Sequence, residues 1–321
     1  MTRRQLLSAL VFIAWCATPH AQQTPTFPSR SVTLVAPSSP GSAPDVLARQ
    51  LALRLSKKWN ATVFVVNRPG AGGDIGSESV ARAEPDGYTL LLGSIANAVN
   101  PHLVAKVRSD ARALVPVSMI ATAPDILLVH PADGINSVAE FTSWLKSHPA
   151  TPAGHPGIGT TPHLSLSTLA LQSQLPFIAI PYQGGGAAQH GFVANQVKFM
   201  FGTSMGVLGQ IKGGRARPLA VTGSTRIAAL PNTPTMVEAG YPDFVIEAWF
   251  GIFAPGGTPQ PIVDGIAGAV REVVTDQDFE DRLDTLGARM TFMPPVLFAK
   301  HVSAEHERWG RLVKAANIRI D

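Results

Sequence analysis

The chain has 321 residues, of which 45% are hydrophobic and 15% charged. That is ample for buried cores, excludes a disordered chain, and at this length favours two domains over one. The formal charge is +4, yet Lys and Arg are scattered and no basic run exceeds Lys57–Lys58, which excludes nucleic acid as a partner.

The first residues read as a secretion leader. Arg3 and Arg4 form a basic start, Leu6 to Ala14 a short apolar stretch, and small residues follow, with cleavage after Ala21 and a mature chain from Gln22. The leader thus occupies residues 1–21, and the expected location is the periplasm. Thr2-Arg3-Arg4-Gln5-Leu6-Leu7 is also similar to a twin-arginine signal, which would export the chain already folded. The plainer reading is an ordinary Sec leader. The stretch is too short to span a bilayer, and no other stretch qualifies. The single cysteine, Cys16, falls inside the leader, where bulky Trp15 before it disfavours lipidation. The mature chain therefore has no disulfide, thiolate metal site or cysteine nucleophile.

The elements then alternate. Val32–Ala36 is an apolar run closed by Pro37, predicting a buried strand. Asp45–Lys58 carries Val46, Leu47, Leu51 and Leu55 at helical spacing, with Pro44 and Asp45 suited to a helix start. Thr62–Val66 predicts a second strand, running into Asn67-Arg68-Pro69-Gly70-Ala71-Gly72-Gly73 and a helix over Asp74–Ala83. Thr89–Leu92 predicts a third strand. Later come helices over Ser137–His148 and His163–Ser173, strands over Phe177–Pro181, Val197–Phe201 and Leu219–Thr222, and helices over Pro261–Val274 and Val296–Ala316. This order implies mostly parallel sheets covered by helices, with ligands bound where strand ends feed helices.

Two such junctions carry chemistry. Pro37–Pro44 and Gly157–Pro162 hold no charged side chain, but each offers backbone N–H groups, hydroxyls and a helix N-terminus. That combination favours a small anion without Arg or Lys, although it equally describes two well-capped helix starts. Glycine patterns at Gly70-Ala71-Gly72 and Gly157-Ile158-Gly159 lack the third glycine of a dinucleotide fingerprint, and no Walker A sequence exists. The competing enzyme reading is Gly202-Thr203-Ser204-Met205-Gly206, a G-x-S-x-G pattern with His301 and His306 downstream, as in a secreted serine hydrolase. The glycine run Gly184–Gly186 lies too close upstream to serve as that fold's oxyanion loop, so Ser204 reads better as a helix N-cap. The other histidines show no ligand spacing and read as isolated surface or capping residues. No cofactor or metal is expected.

Several stretches together resemble the substrate-binding receptors of tripartite tricarboxylate transporters, the Bug family. They are Pro37–Asp45, Val65–Gly73 with Ile75-Gly76, Pro85–Leu90, Pro181–Gly184, Leu219–Thr222, Leu230–Thr235, Glu238–Gly240, and Trp249-Phe250-Gly251 with Ala254-Pro255. The resemblance covers essentially all of the mature chain. It implies an α/β fold like type II periplasmic binding proteins, with two lobes, a ligand cleft between them and two chain crossings, near Val129 and Ala248. Lobe 1 would comprise residues 22–128 and 248–321, and lobe 2 residues 129–247. It implies a monomeric receptor, not an enzyme, that holds a small di- or tricarboxylic or aromatic acid and passes it to the transporter's membrane components; a sensor built on the same fold is the weaker alternative. Matched by motif, the ligand contacts would be Gly41, Ser42, Ala43 and Asp45 in the first loop and Gly159, Thr160 and Thr161 in the second. Ala71, Gly72, Tyr182 and Gly186 would line the remainder. The chain departs from the family at Ser38 and Ser42, where an aromatic residue and a glycine are common, and at Gly202, where members often carry Asp. Lack of that acid argues against an amino-acid ligand.

Overall fold

β-Branched and leucine residues with no interruption make Val32–Ala36 a strand that can be buried on both faces, and it becomes β1, a central strand paired with parallel neighbours on each side. The computed structural model describes residues 27–103 and 114–315. The leader expected over residues 1–21, with Cys16 and the twin-arginine-like stretch, lies outside them.

In chain order the elements are β1 (Val32–Ala36), α1 (Ala43–Trp59), β2 (Val63–Asn67), α2 (Asp74–Ala81), β3 (Thr89–Ser94), α3 (Ala96–Leu103), β4 (Leu114–Val129), α4 (Val138–Ser147), β5 (Thr151–His155) and α5 (Thr161–Ser173). There follow β6 (Phe177–Pro181), α6 (Gly185–Val193), β7 (Phe199–Thr203), α7 (Ser204–Lys212), β8 (Arg217–Val221), β9 (Glu247–Pro255), α8 (Gln260–Val274), α9 (Gln277–Thr285), β10 (Arg289–Met293) and α10 (Pro295–Ala315). The strands run β2-β1-β3-β9-β4-β7-β5-β6, with β10 and β8 also paired to β4.

The expectation of mostly parallel sheets needs correcting. β2-β1-β3 and β7-β5-β6 are parallel, but the middle of the sheet is antiparallel: β9 pairs β3 and β4, and β4 pairs β7, β8 and β10. The reason is topological. β4 carries the chain out of one lobe and β9 brings it back, so as neighbours they must run in opposite directions. β4 pairs with β9, through two register shifts, up to Pro124↔Glu247 and exchanges to β7 at Asp125↔Thr203. On the return, Thr222 N–H donates to the Asp125 carbonyl, Ile246 N–H donates to the Thr222 carbonyl, and β9 begins at Glu247.

The hydrophobic packing is divided only in part between the lobes. Leu47, Leu51 and Leu55 of α1 share a cluster with Val263, Ile266, Val270 and Val274 of α8 against one sheet face. Their i, i+3 and i, i+4 spacings put each set on one stripe of its helix, and each fully buried side chain contributes about 1.5–3 kcal/mol. A second cluster runs through the crossing, joining Phe141, Phe199 and Phe201 to Trp249, Phe298 and Trp309. No helix among the described residues is long and apolar enough to cross a membrane.

Candidate functional site

The first loop is held by a buried carboxylate. Asp45, in the first turn of α1, accepts the Gly41 N–H at 2.9 Å and the Asn67 side-chain amide at 2.8 Å, and pairs with Arg49 at 2.9 Å. Burial alone would raise its pKa, but the hydrogen bonds from Arg49, Gly41 and Asn67 outweigh it and hold the carboxyl below its ordinary value. Asn67, at the end of β2, also donates to the Ser38 carbonyl at 3.1 Å. The Asn67-Arg68-Pro69 stretch therefore braces the Pro37–Pro44 loop. Ser42 is the N-cap position of α1, and its hydroxyl lies 2.7 Å from both Ser38 Oγ and the Ser39 carbonyl.

The second loop rests on two histidines. His155 Nδ1 accepts the Gly157 N–H at 3.3 Å, His163 Nδ1 accepts the Gly159 N–H at 3.4 Å, and the ring centroids are 4.7 Å apart. Burial pushes both imidazoles down to about 4, so both are neutral acceptors at ordinary pH. The reading of these two as isolated surface or capping residues is corrected: both are buried and neighbours. His148, stacked on Trp144, is exposed as expected. α5 starts at Thr161, two residues ahead of the predicted His163, because Thr160 takes the extended N-cap conformation and Pro162 fits the first turn. The Thr160 hydroxyl donates to the Gly157 carbonyl at 2.6 Å, whereas the Thr161 hydroxyl has no hydrogen-bond partner among the described residues.

Both loops open on one cleft of about 560 Å³ between the lobes. Helices α1, α2, α5, α6 and α7 all begin at it, through Ser42, Gly73–Asp74, Thr160–Thr161, Gly184–Gly185 and Thr203. No Lys or Arg lies among the lining residues, and Asp74 is their only acidic one. With no cationic side chain in the wall, the feature that favours an anion there is the convergence of helix N-termini and their dipoles. Among the described residues, no cluster of three or more potential metal ligands exists.

The structure brings Ser42, Ala71, Gly72, Thr160, Thr161 and Tyr182 of the expected contacts to the cleft wall. Gly41, Ala43, Asp45, Gly159 and Gly186 are not among the lining residues; Gly41 is bonded to Asp45 and Gly159 to His163. Gly186 N–H donates across to Ser39 Oγ at 3.3 Å, so it ties the lobes together. Outside the two loops, the sequence reading missed Ser94, Thr203, Ala248 and Phe250 of the wall. Phe250 had a signal, since Trp249-Phe250-Gly251 is among the family-like stretches. The others are strand-end positions whose exposure to the cleft depends on the partner lobe.

The lobes touch. At Gly72, a Cβ would fall 2.1 Å from the Ile158 carbonyl oxygen of the facing loop, and the backbone is left-handed at φ 61°. Only glycine fits there without moving the lobes apart.

Ser204 is not the N-cap but the first helical residue of α7; Thr203 occupies the cap position. The Ser204 side chain is fully buried, and its hydroxyl donates to the Gly287 carbonyl at 2.8 Å. His306 instead bonds the Ala98 carbonyl, and His301 packs edge-on against Trp249. Without a histidine partner the hydroxyl cannot be activated as a nucleophile. Ser204→Ala should leave ester hydrolysis at background and lower stability by about 1–3 kcal/mol, because the Gly287 carbonyl loses its donor. Thermal unfolding beside an esterase assay checks both; a large fall in hydrolysis by pure protein would reinstate the nucleophile.

Two α/β lobes, two crossings and helix N-termini converging on an interlobe cleft define a receptor of the type II periplasmic-binding-protein kind. Residues 47–318 match the model of the tripartite tricarboxylate transporter family receptor, and the chain belongs to that family. A relative from Pseudomonas sp. (strain P51), the UPF0065 protein of the tcbD-tcbE intergenic region, is 34% identical over 97% of this chain and 94% of its own. The periplasmic binding protein BugD is 31% identical with a TM-score of 0.87, covering 92% of this chain and 100% of that one. The Rpa4515 protein of R. palustris, solved with adipate, is 31% identical with a TM-score of 0.89 over the same shares.

Proposed function

We propose that the chain is a periplasmic solute-binding receptor, not an enzyme, that captures a small carboxylate and hands it to the membrane components of a tripartite tricarboxylate-type transporter. The observation that carries this reading is the cleft itself: helix N-termini converge on it while Lys and Arg are absent from its wall. That chemistry suits a carboxylate, di- or tricarboxylic or aromatic, and the adipate in the R. palustris relative accords with it. Residues 22–128 with 248–321 form one lobe and 129–247 the other in this reading. Ser42, Ala71, Gly72, Thr160, Thr161 and Tyr182 contact the ligand, with Gly41, Ala43, Asp45, Gly159 and Gly186 supporting them. The receptor works as a monomer after losing residues 1–21.

A thermal-shift screen of adipate, citrate, benzoate and their methyl esters tests the class, since a ligand that binds only the folded state raises its stability. Free acids should stabilise and esters should not; equal effects of acid and ester would overturn the carboxylate reading. Within the second loop the two threonines should separate. Thr161→Val should weaken binding about tenfold without loss of stability, since a hydrogen bond to a charged oxygen contributes about 1.5–3 kcal/mol. Thr160→Val should instead destabilise the loop, because its hydroxyl holds the Gly157 carbonyl. Calorimetry on both variants distinguishes them.

A further inference from the structure

Asp125 sits where β4 leaves one sheet for the other, and its side chain is fully buried. Its Oδ2 accepts the Ser165 hydroxyl of α5 at 2.8 Å, and its Oδ1 accepts the Thr203 hydroxyl at 2.8 Å. Thr203 is itself part of the cleft wall and caps α7. One hydroxyl therefore separates a buried carboxyl from the ligand space.

A threonine hydroxyl has one proton and two lone pairs. While Asp125 is ionised, Thr203 spends its proton on Oδ1 and can show the cleft only lone pairs, which repel a carboxylate. Once Asp125 is protonated, the carboxylic O–H can donate to Thr203 Oγ1, while Ser165 still donates to the other oxygen. The Thr203 proton is then free to face the cleft as a donor. We propose that Asp125 sets the direction of the Thr203 hydroxyl and thereby couples capture of an anion to uptake of one proton from water. This rests on the carboxylate reading above.

The surroundings leave Asp125 to act alone. Thr222, after β8, contributes a hydroxyl that accepts the Asp125 N–H. The titratable and charged groups on the elements around it are few. His163 on α5 and His155 on β5 are neutral. Glu247 on β9 is paired with Arg289 on β10. Arg217 on β8 is bonded to Ile135 and Asn136, and Lys212 ends α7. None hydrogen-bonds Asp125. Burial raises its carboxyl to about 7, against the pull of the Ser165 and Thr203 hydrogen bonds, so its charge changes in the range where a receptor works. A ligand anion beyond Thr203 favours the protonated form further.

The test is calorimetry of adipate binding from pH 6 to pH 8, in buffers of different ionisation enthalpy, for the wild type, Asp125→Asn and Thr203→Val. In the wild type, affinity should fall about tenfold across that range, with about one proton taken up per adipate at the upper end. Asp125→Asn, whose amide donates permanently to Thr203, should keep the pH 6 affinity throughout and take up no proton. Thr203→Val should bind weakly at every pH. Wild type and Asp125→Asn sharing one pH profile would overturn the proposal. If adipate binds none of them at any pH, the carboxylate reading is in difficulty on its own account, and the relay is judged by carbon NMR of the Asp125 carboxyl in ligand-free protein. Titration near neutrality that moves upward in Thr203→Val supports it, and titration unmoved by Thr203→Val rules it out.

Discussion

Gly72→Ala should abolish tight ligand binding while leaving the fold intact. The new Cβ would lie 2.1 Å from the Ile158 carbonyl oxygen, a backbone atom of the opposite lobe that cannot swing away as a side chain would. The lobes must then stop short of the arrangement seen here. A ligand gripped from both sides loses one side of its contacts, and a loss of about 3 kcal/mol, or roughly a hundredfold or more in affinity, follows from two or three missing hydrogen bonds to a charged group. The left-handed backbone at φ 61° adds about 1–2 kcal/mol of strain for alanine. Gly134→Ala is the control: φ is 71° there, but no atom lies within 4 Å of the added Cβ. Calorimetry with adipate should show near-normal affinity for Gly134→Ala and almost none for Gly72→Ala, with similar unfolding temperatures. Normal affinity in Gly72→Ala would mean that this lobe contact has no part in holding ligand.

The second large effect is on acid stability. His155 and His163 are held near 4 by burial, whereas an unfolded histidine takes its proton near 6.5. As pH falls through that window the unfolded chain gains protons that the folded one refuses. The neutral rings therefore contribute fully above about 6.5 and lose that contribution down to about 4, on the order of 3 kcal/mol for each ring. Asp125 acts in the opposite sense. Its folded value of about 7 lies above the ordinary 3.8, so it contributes more as pH falls through the same range. The wild-type profile is the difference between the two. Asp125→Asn should steepen the acid loss, and His163→Asn, which keeps an acceptor for the Gly159 N–H, should flatten it. Urea unfolding at pH 7, 5.5 and 4.5 checks the slopes. Identical slopes in all three proteins would show that these buried groups do not set the acid limit.

The parts of the fold that were legible in the sequence were those governed by neighbours along the chain. Val32–Ala36 and Phe177–Pro181 form strands at the bounds that their apolar runs and flanking turns indicate. The first loop and its helix were readable because Pro44 and Asp45 mark a helix start wherever they fall. β4 was not readable. It is apolar on both faces, so it has no alternation, and Pro116 and Pro124 look like breaks. In the sheet, Pro116 sits beside a register shift and Pro124 at the exchange between partners, places where a missing N–H costs little. β5, Thr151–His155, contains Pro152 and Gly154 and is a strand only because β6 and β7 hold it. The same division runs through the site. Each anion-favouring loop was visible alone, but the pairing of His155 with His163, and of Asp125 with Ser165 and Thr203, joins residues that tertiary folding alone brings together.

The absence of Lys and Arg from the cleft wall also bears on how such a receptor can change over generations. Peptide dipoles are not encoded by any one codon, so a side-chain replacement in the wall leaves them in place, short of proline at a loop N–H. What a substitution can change is the body of the wall: Ile75, Ile158, Tyr182 and Phe250. The architecture thus separates an inherited constant, affinity for an anion, from a freely mutable variable, the shape attached to it. New ligand preferences can arise by drift at these positions without passing through an intermediate that binds nothing.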